Sequence, residues 1–237
     1  RRMRGGNFEA RAHPEAVAAT LVNLLAAHAS LGETEALDDV IAAFNTDVTE
    51  VATYGTSRDL LEAFGRAGVA VRQNERMDPN TRLRLVVPYW IVGMIQADII
   101  RQQASGELNA FTDPDEAWVR SILNRYGLNA TFTMDAPTGG TEFVPIGDNT
   151  NLVNWPATVE WLLFPEGSVV FLDGGQLDLG IVRDSTLNNT NDYEIFAETF
   201  EGVAYKGPVG IHVTSTVCSN GESQVATDEN ASLCSAS

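Results

Sequence analysis

Near its end the chain alternates apolar and polar residues with a period of two. Val209, Ile211, Val213, Ser215 and Val217 are interleaved with Gly210, His212, Thr214 and Thr216, the pattern of a half-buried strand. Residues 193–205 read as a second strand, joined to the last by the turn Lys206-Gly207-Pro208. Ahead of it lies the run DSTLNNTND, whose Asp, Ser and Asn side chains bond neighbouring backbone and so favour a turn over a ladder. This pattern predicts a ribbon of closing strands with a projecting polar tip.

The first half has helical spacing instead. Pro14 and Glu15 suit a helix start, and Val17, Leu21, Leu24 and His28 recur on one face. A weaker helical pattern follows through Leu37, Val40, Ile41 and Phe44, then a Thr-rich stretch. Another helix begins near Ser57 with Leu60, Phe64, Ala67 and Val71 on one side; Gly65 and Gly68 inside it predict a close backbone contact. Leu83 to Val87 reads as a short buried strand and Trp90 to Arg101 as a helix. Asp113-Pro114-Asp115-Glu116 is a helix start with Asp113 as its cap, Trp118, Ile122 and Tyr126 as its face and Gly127 as its close. Strands are expected at 130–134, 158–164 and 168–172, with a polar loop at 137–154 and a disordered or surface-bound tail from 219 onward.

With 237 residues, 44% of them hydrophobic, the chain can build a real core but not several independent ones. The formal charge of −17 argues against a general DNA-gripping surface, because phosphate contacts need clusters of Lys and Arg. No run approaches the roughly 18 consecutive apolar residues of a membrane span, so no membrane partner is expected. Lys206 is the only lysine. Cys218 and Cys234 have no histidine at metal-ligand spacing; reduced thiols are the default in the cytoplasm, and a late disulfide after release from it is the alternative left open. His13, His28 and His212 sit in unrelated contexts, so nothing suggests a nucleophilic triad, and no phosphate-binding glycine loop is present. Among 32 carboxylates, pairs such as Asp192 with Glu194 or Glu198 with Glu201 arise easily; they could in principle split acid and base roles, but solvated acids are the commoner case. No catalytic residue, cofactor or metal is assigned.

Three blocks carry a resemblance. LDLGIVRDSTLNNTND with FEGVAYKGP, NERMDPNTRLRLVVPYWIVGMIQADIIRQQ, and NWPATVEWLLFPEGSVVFLDGG resemble the major capsid proteins of tailed double-stranded DNA phages, the Hong Kong 97-like family. Together they span most of residues 74–217. The resemblance implies an α+β fold: a long spine helix and β-sheet peripheral domain plus a mixed axial domain. It places the peripheral domain at 1–84 and 176–217, the axial domain at 85–175 and a flexible tail at 218–237. The family's N-terminal arm and extended loop have no full equivalent here, which predicts that the chain is the later part of a longer product. Its cross-linking lysine sits on that loop, so Lys206 does not inherit the role.

The implied function is structural. The chain would assemble in the host cytoplasm with many copies of itself, as pentamers and hexamers, into an icosahedral virion shell. That shell would enclose DNA without sequence-specific binding and would engage scaffolding, portal and decoration proteins. The polar tip is the expected assembly contact, through Arg183, Asp184, Asn188, Asn191 and Asp192. Two alternatives stand beside this reading: an encapsulin-like compartment carrying enzyme cargo, and a small acidic hydrolase using paired carboxylates.

Overall fold

The computed structural model describes residues 1–44, 46–104, 115–134, 155–156, 158–207, 210–218 and 224–225. The chain opens with a strand, β1 (Arg2–Gly6), and a short helix, α1 (Asn7–Ala12). Pro14, which fits the first turn because it has no N–H to lose, then starts the 31-residue helix α2 (Pro14–Phe44). The sequence suggested two successive helical patterns here; the structure shows one helix. At its amino-terminal half, Leu24 with Val17, Leu21 and Leu25 packs against Tyr193, Ile195 and Ala197. At the other half, Val40 and Phe44 with Leu37 and Ile41 pack against Val86, Leu162 and Phe164. At 3.6 residues per turn, Leu24 and Val40 lie about 160° apart around the axis. The helix therefore buries nearly opposite faces at its two ends, and two amphipathic patterns in opposite phase read as two helices. By length and composition α2 could cross a membrane, yet both of its halves are packed against strands of its own chain.

The Thr-rich stretch forms β2 (Asp47–Gly55), followed by α3 (Arg58–Asn74), β3 (Leu83–Pro88) and α4 (Trp90–Ala104). The two glycines of α3 are explained by contact: a Cβ on Gly65 would stand 2.8 Å from the Tyr126 ring, and one on Gly68 would stand 2.9 Å from Leu128 Cδ2. Next come α5 (Glu116–Arg125) and β4 (Leu128–Thr133). Asp115, not Asp113, caps α5 by accepting from the Trp118 N–H at 2.7 Å. The fully buried face is Val119 and Leu123, one residue on from the expected stripe, with Trp118 and Ile122 only partly buried. Gly127 closes the helix at φ 71°, a conformation that glycine adopts without a Cβ penalty.

The remaining elements are β5 (Thr158–Pro165), β6 (Val169–Asp173), β7 (Asp178–Val182), α6 (Ser185–Thr190), β8 (Asp192–Glu198), β9 (Glu201–Tyr205), β10 (Ile211–Cys218) and β11 (Gln224–Val225). They form a six-stranded sheet, β11-β2-β10-β5-β3-β4, a three-stranded sheet, β1-β8-β7, and a two-stranded sheet, β6-β9. In the large sheet β10 runs parallel to β2, and β3 runs parallel to β4. The predicted closing ribbon is not what forms. Residues 193–205 split at Thr199 and Phe200 into β8 and β9, which belong to different sheets, and β10 inserts between β2 and β5 in the large sheet. Sheet membership thus crosses the ranges drawn from the sequence, since β2 and β10 share a sheet with β3, β4 and β5.

The main core lies between the large sheet and helices α3, α4 and α5. Trp161 is fully buried there, edge-on to Phe64 at 5.0 Å, and its indole N–H donates to Ser215 Oγ at 2.9 Å, so its one polar atom is satisfied. Cys218 is buried at the end of β10 and is disulfide-bonded, the alternative rather than the default of the two states left open by the sequence; Cys234 lies outside the described residues. The polar loop at 137–154 and most of the tail lie outside them as well.

Candidate functional site

The predicted polar tip is a short helix. Asp184 caps α6 by accepting from the Leu187 N–H at 2.7 Å, and Asn191 ends it in the left-handed conformation, φ 55°, which Asn tolerates better than most residues. Leu187, buried beneath, anchors the turn. Asn191 also accepts from the Asn7 N–H through its carbonyl at 2.9 Å, tying α6 to the start of α1. Asp192 accepts from Arg4 Nη2 at 2.7 Å and Nε at 3.0 Å, a fork that locks β1 beside β8. The Thr190 hydroxyl and the Arg4 guanidinium hold the Asp192 carboxyl below the usual aspartate range.

Of the five predicted contact residues, Asp184, Asn191 and Asp192 thus have duties inside the subunit. Arg183 and Asn188 are exposed, and among the described residues neither side chain has a hydrogen bond or ion pair. The acid pairs are likewise accounted for. Asp192 and Glu194 face Arg4 and Arg2, at 2.7 and 3.5 Å, while Glu198 and Glu201 fall on strands of different sheets. The three histidines remain apart: His13 meets Glu15, His28 meets Thr199, and His212 lies between Asp47 at 2.9 Å and Glu160 at 3.3 Å. Among the described residues no group of three His, Cys, Asp or Glu could hold a metal.

A surface that the sequence reading missed lies beside the tip. In β7, Leu179 and Ile181 stand opposite Ala197 and Ile195 of β8, on the face that α2 covers. A helix is about 10 Å across and strands are spaced about 4.8 Å apart, so one helix does not cover three strands. Among the described residues nothing covers the outer strand, and Ile181 is 63% exposed. Phe171 and Leu172 of β6, Leu177, and Phe200 between β8 and β9 are also exposed, at 42–63%. The signal was present as apolar residues at Leu177, Leu179 and Ile181 with no helix to spare for them.

No protein-family model matches the chain, and no curated protein sequence matches it. Solved structures do. The acid-stable capsid structure of Helicobacter pylori bacteriophage KHP30 aligns with TM-score 0.56 and 9% identity, over 91% of this chain and 74% of that one. The capsid structure of cyanophage P-SCSP1u gives 0.53 and 12%, over 92% and 71%. The mature capsid of bacteriophage PhiM1 gives 0.51 and 14%, over 92% and 69%. At such identities the likeness speaks to architecture, and across nine-tenths of its length this chain has the α+β fold found in these phage capsid structures.

Proposed function

We propose that this chain is the major structural subunit of a phage head with the Hong Kong 97-like fold, assembling through itself into rings of five and six and then into an icosahedral shell around double-stranded DNA. The observation that carries the reading is the uncovered apolar face of β7 and its neighbours. Leu179 and Ile181 extend a buried face beyond the only helix that covers it among the described residues, and an apolar surface of this kind marks a contact to be buried by another molecule. The fold likeness to phage capsids supports identifying that molecule as another copy.

The role is structural, with no reaction assigned. The carboxylates that could have served a hydrolase are spent on arginines or held apart. The net charge of −17 suits a wall that does not grip the genome, and with a screening length of about 8 Å at physiological salt such subunits can still pack through apolar contacts. Arg183 and Asn188 are the polar contacts we assign at the tip. Scaffolding, portal and decoration proteins are its expected partners, and the virion its location after assembly in the host cytoplasm.

The test is direct. Light scattering and electron microscopy of the purified chain should show megadalton shells holding nuclease-protected DNA when made in infected cells. Shells filled with protein cargo instead would point to a compartment protein, and a monomer at all concentrations would end the reading. Ile181→Ser with Phe171→Ser should abolish shells while leaving the thermal midpoint nearly unchanged, since both side chains are already in solvent.

A further inference from the structure

We propose that a hollow at one end of the large sheet is a phosphate site, through which each subunit touches the backbone of the enclosed DNA at one point; the proposal rests on the capsid reading above. The connection from α3 into β3 and the connection from α5 into β4 enclose a space of about 580 Å³. Asn80 and Arg82 line it on the first side, and Asn124, Arg125, Tyr126 and Asn129 on the second. None of the described residues lining it is acidic, in a chain with 32 carboxylates against 15 Lys and Arg.

The hollow is positive from behind as well as at its rim. Arg72 of α3 is buried behind it, donating through Nε to the Thr81 carbonyl at 2.8 Å and through Nη2 to the Gly127 carbonyl at 3.0 Å. These bonds fasten the two connections to each other. Both acceptors are neutral, and among the described residues no carboxylate pairs with Arg72. A buried arginine without a counter-ion is uncommon and costly, and burial holds its pKa below the ordinary arginine value. Gly127 lines the hollow, and a Cβ there would stand 2.7 Å from Arg72 Nη2, so the guanidinium touches the back of that wall. At the rim Arg82 and Arg125 are exposed, and among the described residues neither forms an ion pair. Two neighbouring acids are already engaged. Glu166 accepts from Asn129 at 2.8 Å and Arg84 at 3.1 Å, and Asp78 accepts from the Asn80 N–H at 2.7 Å. A buried charge that the subunit leaves unneutralised, behind two exposed guanidiniums, calls for an anion from outside.

The surroundings favour a phosphate over a carboxylate of another copy. Contacts between proteins have cores that are apolar and depleted in charge, as the bare face of β7 would supply. Here Tyr126 is the only large ring or aliphatic group exposed among the lining residues, and its hydroxyl is itself a donor. Arginine, asparagine and tyrosine side chains are the groups that hold phosphates along a duplex, and a guanidinium fork fits two phosphate oxygens at once. A single such site on a chain of net charge −17 gives a weak contact that salt readily removes. That is compatible with a wall that touches the genome without gripping it.

Binding of a short, labelled, mixed-sequence duplex to the unassembled full chain tests this by fluorescence anisotropy across a salt series. The logarithm of the affinity should fall against the logarithm of salt with a slope of about −1 to −2, the release expected from one or two phosphates. Arg82→Ala with Arg125→Ala should weaken binding about tenfold at low salt and flatten that slope by about 1 or more. Its melting by circular dichroism should not change, since both side chains are exposed and unpaired among the described residues. Arg11→Ala with Arg58→Ala removes the same charge from exposed positions elsewhere and should weaken binding by no more than about twofold. Inorganic phosphate should compete with the duplex. Equal losses in the two double variants would reduce the effect to net charge and overturn the site. Loss of phosphate binding but not of duplex binding in the Arg82/Arg125 variant would overturn DNA as the source. An Arg82/Arg125 variant that binds duplex unchanged but forms no particles would make the hollow a contact between copies, and the proposal falls. Each of these leaves the capsid reading standing, whereas an unmodified chain that never assembles removes that reading and with it the enclosed genome.

Discussion

The large sheet and the small sheets of this molecule solve the same problem in opposite ways. In the large sheet, Leu83, Leu85, Trp161 and Leu163 are fully buried beneath helices of the same chain. In β6 and β7, Phe171, Leu179 and Ile181 are comparably apolar but stand in water. Burial of a large aliphatic or aromatic side chain contributes about 1.5–3 kcal/mol. The first region gains this on folding; the second gains it only on meeting another molecule. On the proposed reading, a chain built so can fold by itself and still be driven to assemble.

The sharpest way to break that contrast is to damage the self-sufficient side. Trp161→Ala removes a fully buried indole, its edge-on contact with Phe64 and its bond to Ser215. The loss should be about 3–5 kcal/mol, enough to unfold much of the population in chemical denaturation before assembly is even tested. If Trp161→Ala folds normally yet fails to assemble, the division between the two regions is wrong.

Next in size is the joint between α2 and the large sheet. A Cβ on Gly210 would stand 2.5 Å from the Phe44 ring, which is itself held by Phe164 at 5.4 Å and Tyr205 at 5.2 Å. With neighbours on both sides the ring has little room to yield, so Gly210→Ala should cost about 1–3 kcal/mol by overpacking. A midpoint shift near zero in urea would show that α2 is seated more loosely than the packing implies. Smaller again is Asp184→Ala at the tip, which removes the cap of α6 and should cost about 1 kcal/mol. Arg183→Ala and Asn188→Ala remove side chains with no hydrogen-bond or ion-pair partner among the described residues, so an assembly defect in those variants without a stability change separates contact from cap.

How far the sequence disclosed this arrangement depends on whether one element has one environment. Helix α3 buries a single face within one core, and its periodicity placed its start within a residue or two; β3 buries both faces, and its short unbroken apolar run marked it as a buried strand. Helix α2 did not read as one helix, because its two ends answer to different sheets. Residues 193–205 read as one strand because backbone propensity is continuous there; the change of sheet at Thr199 and Phe200 is decided by partners distant in sequence. For α5, Trp118 and Val119 are both apolar, as are Ile122 and Leu123, so spacing alone does not choose between adjacent stripes. At the tip the polar composition was visible, but the Asp192 contact with Arg4 spans 188 positions and no local rule reaches it. The same holds for Leu179 and Ile181, whose exposure follows from the width of a helix set against three strands.

The finest comparison between the two regions is of two carboxylates. Glu166 beside the large sheet is held below the usual glutamate range by Asn129 first and then by Arg84, which bonds it at 3.1 Å. Asp192 in the small sheet is held down by Thr190 and Arg4. Both folded-state pKa values are depressed, so each link is fully present above the ordinary carboxylate values near 4 and is lost only as pH falls through the depressed values. Both sites are open to solvent, so the effect on overall stability is small, and carboxyl resonances report it better than melting does. Replacing Arg4 with Ala should raise the Asp192 titration midpoint and leave Glu166 where it is; Asn129→Ala should do the reverse. If either substitution moves both midpoints together, the two sheets are coupled within the subunit, and the region we describe as completed by a neighbour already depends on the core beside it.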